Sequence, residues 1–366
     1  MRPDHTSSQV FDSLLKSIQK GRFKAGEYLP GERELAGMFD VSRPTMRRVI
    51  ARLQTSGLIQ ARPGAGNLVV KKAELKSGIR NIAYFVPDIS NPFFSHLGRE
   101  LTAQFQAAGM NVAIMDYNYG IPHLLEALQQ LTSFESAVIH FTGSREELRD
   151  LGARVRVPIV LMHPYRDETA ATPYDQILID SFGGAHAVVT HLLSIGRKRI
   201  AFLASPGQSA ERWRGGQEAM KQALGKGARF FQLEPGLSGF HGGYEAVRRA
   251  ISDKIPFDGL FGANDELALG ALAALKDSGI KIPDEVAVAG FDNLLASQII
   301  RPKLTTIRQP IQRLATLARE MLESRMAGDT GKARQVFLPA ELLVRESTQA
   351  GFPEPKNPPS KKPAIY

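Results

Sequence analysis

The chain has 366 residues, of which 43% are hydrophobic and 23% charged, with a formal net charge of +9 and no cysteine. A chain of this length is expected to form two or three domains rather than one core. The lack of cysteine excludes disulfides, a thiol nucleophile and a cysteine metal site. No apolar run approaches the ~18 residues that cross a bilayer, and the first residues show no signal-peptide pattern, so we expect a cytoplasmic protein.

The excess positive charge lies almost entirely in the first fifth of the chain. Residues 1–80 contain 15 Lys and Arg against 7 Asp and Glu, whereas residues 81–366 are nearly neutral. A compact basic module on a neutral body is typical of nucleic-acid binding. On charge alone, a solvated basic face remains the alternative.

Two helices are predicted at the start of this basic segment. Apolar residues at helical spacing predict the first over roughly residues 8–20, ending at Gly21. The second is predicted over about residues 32–39, with four residues facing inward: Leu35, Ala36, Met38 and Phe39.

A third helix carries arginines on one side and apolar residues on the other. Ser42 is a suitable N-cap and Pro44 suits the first turn. The apolar stripe consists of Met46, Val49, Ile50 and Leu53, and the arginines on the broadly opposite side are Arg43, Arg47, Arg48 and Arg52. Such a helix can enter the major groove, with Arg43 and Arg47 near the end that reaches base edges.

Residues 58–70 are predicted to form a hairpin that turns at residues 63–66. The glycines of this turn would let the backbone approach a phosphate or the minor groove closely. A plain hairpin turn without a ligand is the alternative.

The segment LPGERELA followed by VSRPTMRR resembles the GntR family of winged helix-turn-helix regulators, over about residues 8–70. Gly31 and the pair Asn67-Leu68 depart from the family pattern. From the resemblance and the arginine face we expect DNA contacts from Arg33, Ser42, Arg43, Thr45, Arg47, Arg48, Arg62, Gly64 and Gly66.

Beyond a polar linker at residues 71–80, strands and helices alternate. Nine strands are predicted, at residues 82–86, 112–115, 137–141, 159–162, 177–179, 200–203, 230–233, 259–262 and 286–289. The alternation predicts an α/β body of doubly wound parallel sheets, and its length calls for two lobes. We expect lobe 1 to hold residues 81–178 and 308–330, and lobe 2 residues 179–307 and 331–350. Residues 351–366 contain five prolines and are expected to be a disordered tail.

The body is similar to the LacI/GalR effector domain and to periplasmic sugar-binding proteins, over about residues 81–348. The similarity runs from YFVPDISNPFF to GLFGANDELALGALAALKDSGIKIPDEVAVAGFDN, and on through KLTTIRQP and FLPAELLVREST. It implies a small-molecule site between the lobes, at the carboxyl ends of the strands. The residues implied to bind the effector are Asp88, Phe93, Phe94, His163, Arg212, Asn264, Asp292 and Gln309.

Several of these residues have a structural alternative. Phe93 and Phe94 could be core residues, Arg212 could form a surface ion pair, and Asp292 could cap a turn with Asn293. His163 and Ser181 depart from the family pattern, so the identity of the effector does not follow from the similarity.

Together, the two resemblances imply a homodimeric transcription regulator whose affinity for a double-stranded DNA operator is controlled by a carbohydrate. We expect it to be a repressor, because repression is the commoner behaviour in these families. We expect no cofactor and no metal, because His186 and His191 are five residues apart, not the four of a helical zinc pair. A solute-binding sensor and an enzyme on the same fold are the alternatives. Against the enzyme, the chain has no nucleophile-elbow, phosphate-loop or dinucleotide-binding motif.

Overall fold

A computed structural model describes residues 10–11, 13–14, 17–18, 22–55, 58–62, 66–69, 80–129, 131–143, 146–147, 157–162, 173–204, 209–224 and 229–349. The chain divides into two units, Met1–Arg80 and Asn81–Tyr366, called the head and the body below. The tail at 351–366, most of the predicted linker and most of the first predicted helix lie outside the described residues.

The head packs two short helices against a hairpin. The helices are α1, Glu32–Met38, and α2, Arg43–Thr55, and the antiparallel strands are β1, Ile59–Arg62, and β2, Gly66–Val69. The apolar stripe predicted on α2 is fully buried and packs with Leu35 and Ile59 in one core. Met38, predicted to face inward, is 42% exposed, because it lies in the last turn of α1 on the side away from that core.

Helices and strands alternate in the body, and all nine predicted strands are present. The strands are β3 Arg80–Val86, β4 Met110–Asp116, β5 Ser136–His140, β6 Ile159–Met162, β7 Asp175–Ile179, β8 Arg199–Leu203, β9 Arg229–Leu233, β10 Gly259–Gly262, β11 Ala287–Ala289, β12 Thr306–Arg308, β13 Gln335–Leu338 and β14 Glu341–Leu343. The helices are α3 Pro92–Ala107, α4 Ile121–Gln129, α5 Ser181–Ser194, α6 Ala210–Leu224, α7 Gly239–Ser252, α8 Asp265–Asp277, α9 Leu295–Ile299 and α10 Ile311–Met326.

Two sheets define two lobes. The first has the strand order β13-β7-β6-β5-β3-β4 and the second the order β11-β10-β8-β9. Strands β5, β6, β7 and β10 are buried along their whole length, as expected for parallel strands covered by helices on both faces. The predicted α/β fold class is confirmed.

One part of the predicted lobe assignment is wrong. Residues 331–350 were assigned to the second lobe, but β13 within this range pairs in parallel with β7 at the edge of the first sheet. Arg334 fixes this arrangement, because its guanidinium and its backbone N–H both donate to the buried Asp175 at the start of β7. Ser347, in contrast, exchanges hydrogen bonds with Val288 of β11 in the second lobe, as predicted. Strand β14 pairs with β12 in a separate two-stranded sheet that was not predicted.

Candidate functional site

The arginines of α2 in the head lie on a solvent-exposed face. Arg43, Arg47 and Arg48 are exposed, whereas Met46 and Val49 of the same helix are buried. The predicted cap is present, since the hydroxyl of Ser42 accepts a hydrogen bond from Thr45 N at 3.3 Å and lies 2.8 Å from the Thr45 hydroxyl. The helix therefore presents its first turns and its positive charge to solvent.

Three arginines of the head have different surroundings: Arg33 is exposed to solvent, Arg52 packs on a ring, and Arg47 forms an ion pair. Arg33, in the first turn of α1, is exposed. Arg52 places its guanidinium 4.2 Å from the ring centre of Phe11, so it packs on the head core. Between the helices, Arg47 Nε lies 3.2 Å from Glu32 Oε2 and forms an exposed ion pair.

The hairpin of the head is tied to α2 by a residue that departs from the family pattern. Asn67 Oδ1 accepts a hydrogen bond from Gln54 Nε2 at 2.7 Å. Arg62 is exposed at the end of β1, and Gly66 has φ +106°, a conformation that favours glycine. Gly64 lies outside the described residues. Neither Gln54 nor Asn67 was predicted to have this role, because the contact joins residues 13 apart in the sequence.

The body contains a cavity of about 490 Å³ at the ends of the strands of both lobes. This volume is typical of small-molecule sites. Six of the eight predicted effector residues line it: Phe93, Phe94, Arg212, Asn264, Asp292 and Gln309. Asp88 does not line it, because its Oδ1 accepts hydrogen bonds from the backbone N–H and hydroxyl of Ser90 in a local turn. His163 lies outside the described residues.

Aromatic rings form the wall contributed by the first lobe. Phe93 and Phe94 pack edge to face with ring centres 5.4 Å apart, and Phe94 packs on the His140 ring at 4.5 Å. Both phenylalanines belong to the hydrophobic core of the first lobe and also line the cavity. The interpretation of Phe93 and Phe94 as core residues is therefore compatible with their interpretation as effector-binding residues. Their rings present an apolar surface to the cavity.

The second lobe contributes a buried polar cluster. Gln309 Nε2 donates to Asp292 Oδ1 at 2.6 Å, and both side chains are at least nine-tenths buried. Arg212 donates from Nη1 to the carbonyl of Ala263 and lies 3.6 Å over the ring of Phe291. The alternative reading of Arg212 as a surface ion pair is wrong, because its partners are a buried carbonyl and a buried ring.

Burial controls the ionisation of this cluster. Removal from water raises the pKa of Asp292 well above its usual range, although the nearby Arg212 cation opposes the shift. The same desolvation lowers the pKa of Arg212. Asp292 also has φ 128°, a rare conformation for a non-glycine residue, and such strain is found where the surrounding structure imposes it at functional sites.

A hydrogen-bond network beneath the cavity holds this strained segment. Arg345 donates to the side-chain oxygen of Asn293 and, at 2.9 Å, to the carbonyl of Leu304. Asp265 accepts hydrogen bonds from Leu294 N and from the hydroxyl of Thr306. The side chain of Asp292 accepts its hydrogen bond from Gln309, and none of the hydrogen bonds of this network shows Asp292 capping a turn with Asn293. Arg345 and Asp265 were not predicted, because their partners are distant in sequence.

Four helices begin at the cavity, α3, α5, α6 and α8, and the structure describes a side-chain cap for α3, α5 and α8. Asn91 Oδ1 accepts from Phe93 N, Asp180 Oδ1 from Gly183 N, and Asn264 Oδ1 from Leu267 N, each at 2.9 Å. The amide oxygen of Asn264 is thus engaged by its own helix. Other lining residues that the sequence analysis missed include Tyr119, His140, Asp180, Glu211 and Phe337. His140 and Asp180 could have been found, because they are polar residues at the carboxyl ends of predicted strands.

Among the described residues, no group of three or more His, Asp or Glu side chains could hold a metal ion. His191 instead lies 2.8 Å from the hydroxyl of Thr348, and Trp213 stacks on Phe230 against the core of the second lobe. No helix in the described ranges is long and apolar enough to span a membrane.

Comparison with known proteins matches the two units to different families. Residues 6–69 match the gntR family of bacterial regulatory proteins, and residues 189–348 match the periplasmic binding protein-like domain. Both resemblances found in the sequence are thereby confirmed.

Two relatives and a solved structure, each matched over more than two thirds of this chain, extend this similarity. The HTH-type transcriptional regulator DegA of Bacillus subtilis is 28% identical over 73% of this chain and 80% of its own. The arabinose metabolism transcriptional repressor of Geobacillus stearothermophilus is 25% identical over 93% of this chain and 97% of its own. A LacI family transcriptional regulator from Enterococcus faecium, solved with bound ribose, is 27% identical over 74% of this chain and 98% of its own, with a TM-score of 0.63.

Proposed function

Because the chain joins a gntR-family helix-turn-helix domain to a periplasmic binding protein-like domain, we propose that it is a sequence-specific transcription regulator, more specifically a repressor, whose effector is a sugar. The observation that carries the proposal is that one polypeptide holds both an exposed arginine helix and a cavity lined by aromatic and buried polar side chains. It is supported by relatives named as transcriptional regulators rather than enzymes, one of them solved with ribose. The proposed role is therefore binding, not catalysis.

In the head, DNA would be contacted by the exposed arginines of α2, with Arg33 and the hairpin residues Arg62, Gly64 and Gly66 beside them. Two chains would pair through their bodies, so that two heads meet half-sites about one helical turn apart. Operator DNA would be reached in the bacterial cytoplasm.

In the body, the sugar would bind between the lobes. Asp292, Arg212, Gln309 and Asn264 would hold its hydroxyl groups, and Phe93 and Phe94 would contact its apolar face. Binding would shift the equilibrium between lobe arrangements, and residues 71–80 would pass the change to the heads. This requires the sugar to bind the two arrangements with different affinities.

Fluorescence anisotropy on DNA from the protein's own promoter region, with and without ribose or arabinose, tests the proposal. We expect promoter DNA to bind more tightly than random DNA of equal length, and one sugar of a wider panel to change that affinity. Equal affinity for promoter and random DNA would overturn the proposed regulation.

Two variants separate the functions of the units. Arg212→Ala and Asp292→Ala should keep promoter affinity and lose the response to sugar, because both side chains line the cavity in the body. Asp253→Ala, at an exposed carboxylate of the same lobe, is the matched control and should respond like the wild type. A normal response in both cavity variants would show that the sugar binds elsewhere.

A further inference from the structure

Helices α5 and α6 pack against each other, and both begin at the cavity. The lining residues at the start of these two helices are Asp180, Ser181, Phe182, Ala210, Glu211 and Arg212. The spacing between the helices therefore determines where these side chains lie relative to one another.

Helix α6 contains two consecutive glycines, Gly215 and Gly216, and both are buried. Glycine is a poor helix former, because its backbone loses more conformational freedom on folding than that of any other residue. A glycine pair inside a helix therefore needs a compensating reason, and the close approach of a neighbouring element is one.

Gly215 lies directly on the backbone of α5. A Cβ atom at this position would be 2.2 Å from the carbonyl oxygen of Phe182, whereas real Cβ contacts almost never fall below 3.0 Å. The neighbour is the backbone of the first helical turn, which cannot rotate away as a side chain can. Gly215 thus allows α6 to lie closer to α5 than any other residue would at this position.

A second glycine supports the same region from α5. A Cβ atom at the buried Gly184 would lie 3.0 Å from Cε2 of Phe291, so the ring packs on the helix where the side chain is missing. The guanidinium of Arg212 lies 3.6 Å over this ring and donates to the Ala263 carbonyl. Helix α5 therefore positions the ring on which Arg212 stacks.

The position of Arg212 depends on both glycines. Gly215 follows Arg212 by three residues, so the two lie on the same side of α6. The partners of the guanidinium belong to other elements, and a shift of α6 on α5 would move Arg212 relative to them. Gly184 and Gly215 are not among the described lining residues, so they would act through Arg212 and not by touching a ligand.

Resting on the proposed function, we infer that Gly184 and Gly215 are positioning residues for effector binding. They let α5 pack closely against α6 and Phe291, and this packing places Arg212 and Phe182 at the separation that the effector requires. The two residues are called the junction glycines below.

Alanine at Gly215 tests the inference. The added methyl group should move α6 by roughly 1 Å, because overpacking shifts the backbone where no side chain can yield. A displacement of this size should weaken effector binding by about tenfold or more. Isothermal titration calorimetry on the full chain with ribose, arabinose, xylose and glucose identifies a sugar that the wild type binds, and the variants are compared with that sugar.

Gly242→Ala is the matched control. Gly242 is a buried glycine of α7 in the same lobe, and its Cβ would lie 1.8 Å from the Leu237 carbonyl oxygen. Helix α7 contributes none of the described lining residues. Both variants should therefore lower the melting temperature, but only Gly215→Ala should lose affinity for the sugar. Wild-type affinity in a folded Gly215→Ala would overturn the inference.

Gly184→Ala keeps the test decisive if Gly215→Ala does not fold. Its methyl group would meet only the edge of the Phe291 ring, at a distance that a small shift of the ring relieves. We expect Gly184→Ala to fold and to bind the sugar several-fold more weakly, because the ring moves beneath Arg212. Wild-type affinity in Gly184→Ala, with Gly215→Ala unfolded, would overturn the inference.

A double-mutant cycle separates positioning from a general loss of stability. Arg212→Lys should weaken sugar binding by itself, because lysine lacks the planar guanidinium. If Gly215 acts through Arg212, adding Gly215→Ala to Arg212→Lys should weaken binding less than it does in the wild type. Fully additive losses would make Gly215 merely structural.

Trp213 reports on α6 without any ligand. It is the only tryptophan of the chain, it follows Arg212, and it stacks on Phe230 at 4.7 Å. Its fluorescence emission should shift in Gly215→Ala and stay unchanged in Gly242→Ala. If no sugar binds the wild type, the proposed function fails, and this shift alone supports the placement of α6 by Gly215, whereas an unchanged emission overturns it. If a sugar binds the wild type and both junction-glycine variants equally, the inference fails and the proposed function stands.

Discussion

Gln309 donates one hydrogen bond to Asp292, from Nε2 to Oδ1 at 2.6 Å, and leaves its own Oε1 buried without a partner. Asp292 follows β11 and Gln309 follows β12, and the backbone of Asp292 pairs with Arg308, next to Gln309. An unsatisfied buried carbonyl destabilises the protein by about 1–3 kcal/mol unless a ligand supplies the missing donor. A ligand that donates a hydrogen bond to Gln309 Oε1 would remove this cost, and the removal would contribute to its free energy of binding.

The first prediction concerns the contribution of the Gln309 side-chain carbonyl to effector binding. Gln309→Leu removes the acceptor, so the effector should bind about 1–3 kcal/mol more weakly, while promoter affinity is unchanged. Calorimetry with the responding sugar measures the loss. Gln312→Leu, at an exposed glutamine three residues further along, is the matched control. Wild-type affinity in Gln309→Leu would mean that Oε1 does not face the ligand.

The second prediction assigns Arg345 a positioning role. Its guanidinium reaches both the Asn293 side chain and the Leu304 carbonyl, which supports the strained conformation of Asp292. Lysine keeps the charge but lacks the planar fork, so Arg345→Lys should weaken effector binding by about tenfold. Calorimetry and thermal unfolding together separate this from a general loss of stability.

Arg301→Lys serves as the control for Arg345→Lys, because Arg301 is exposed and lies 3.9 Å from Glu346 at the surface. A drop in melting temperature with unchanged affinity for the sugar would make Arg345 merely structural. A loss of affinity with little change in melting temperature would support the positioning role.

The third prediction concerns acid stability. Burial would raise the pKa of Asp175, but hydrogen bonds from Arg325 and Arg334 outweigh burial and lower it to about 2. The folded-state pKa lies below the unfolded value, so the stabilisation is present above about pH 4 and is lost as the pH falls towards 2. The linkage is worth about 2 kcal/mol in total, of which about 1 kcal/mol is lost by pH 3.

Urea unfolding between pH 6 and pH 3 measures this dependence. Asp175→Asn should be less stable at pH 6 and should lose about 1 kcal/mol less than the wild type on acidification. Asp253→Asn, at an exposed carboxylate, should follow the wild-type curve. Parallel curves for Asp175→Asn and the wild type would contradict the lowered pKa.

Nine of the twelve strands described in the body could be predicted from the sequence, and the contacts of the site could not. A run such as Arg199–Leu203, buried on both faces and bounded by polar residues, is recognisable from its apolar pattern. The strands missed are β12, β13 and β14, of three or four residues, which are held by pairing with distant strands. The contact of Arg345 with Asn293 joins residues 52 apart, and no local pattern specifies such a pair.

The last prediction concerns base reading by the head. Arg43→Ala and Arg47→Ala should each weaken promoter binding by about 1–3 kcal/mol and random-DNA binding by less, if these arginines contact base edges. Arg52→Ala is the control on the same helix, because Arg52 stacks on Phe11 and should affect both DNAs equally. Anisotropy on both DNAs at fixed salt gives the comparison, since each lost phosphate contact alone would lower the two affinities together.

The exposed ion pair of Arg47 with Glu32 at 3.2 Å must open for Arg47 to reach DNA. Such pairs contribute about 0–1 kcal/mol, so Glu32→Gln should leave promoter binding equal or slightly tighter. Weaker promoter binding in Glu32→Gln would instead show that the pair orients Arg47 for the base.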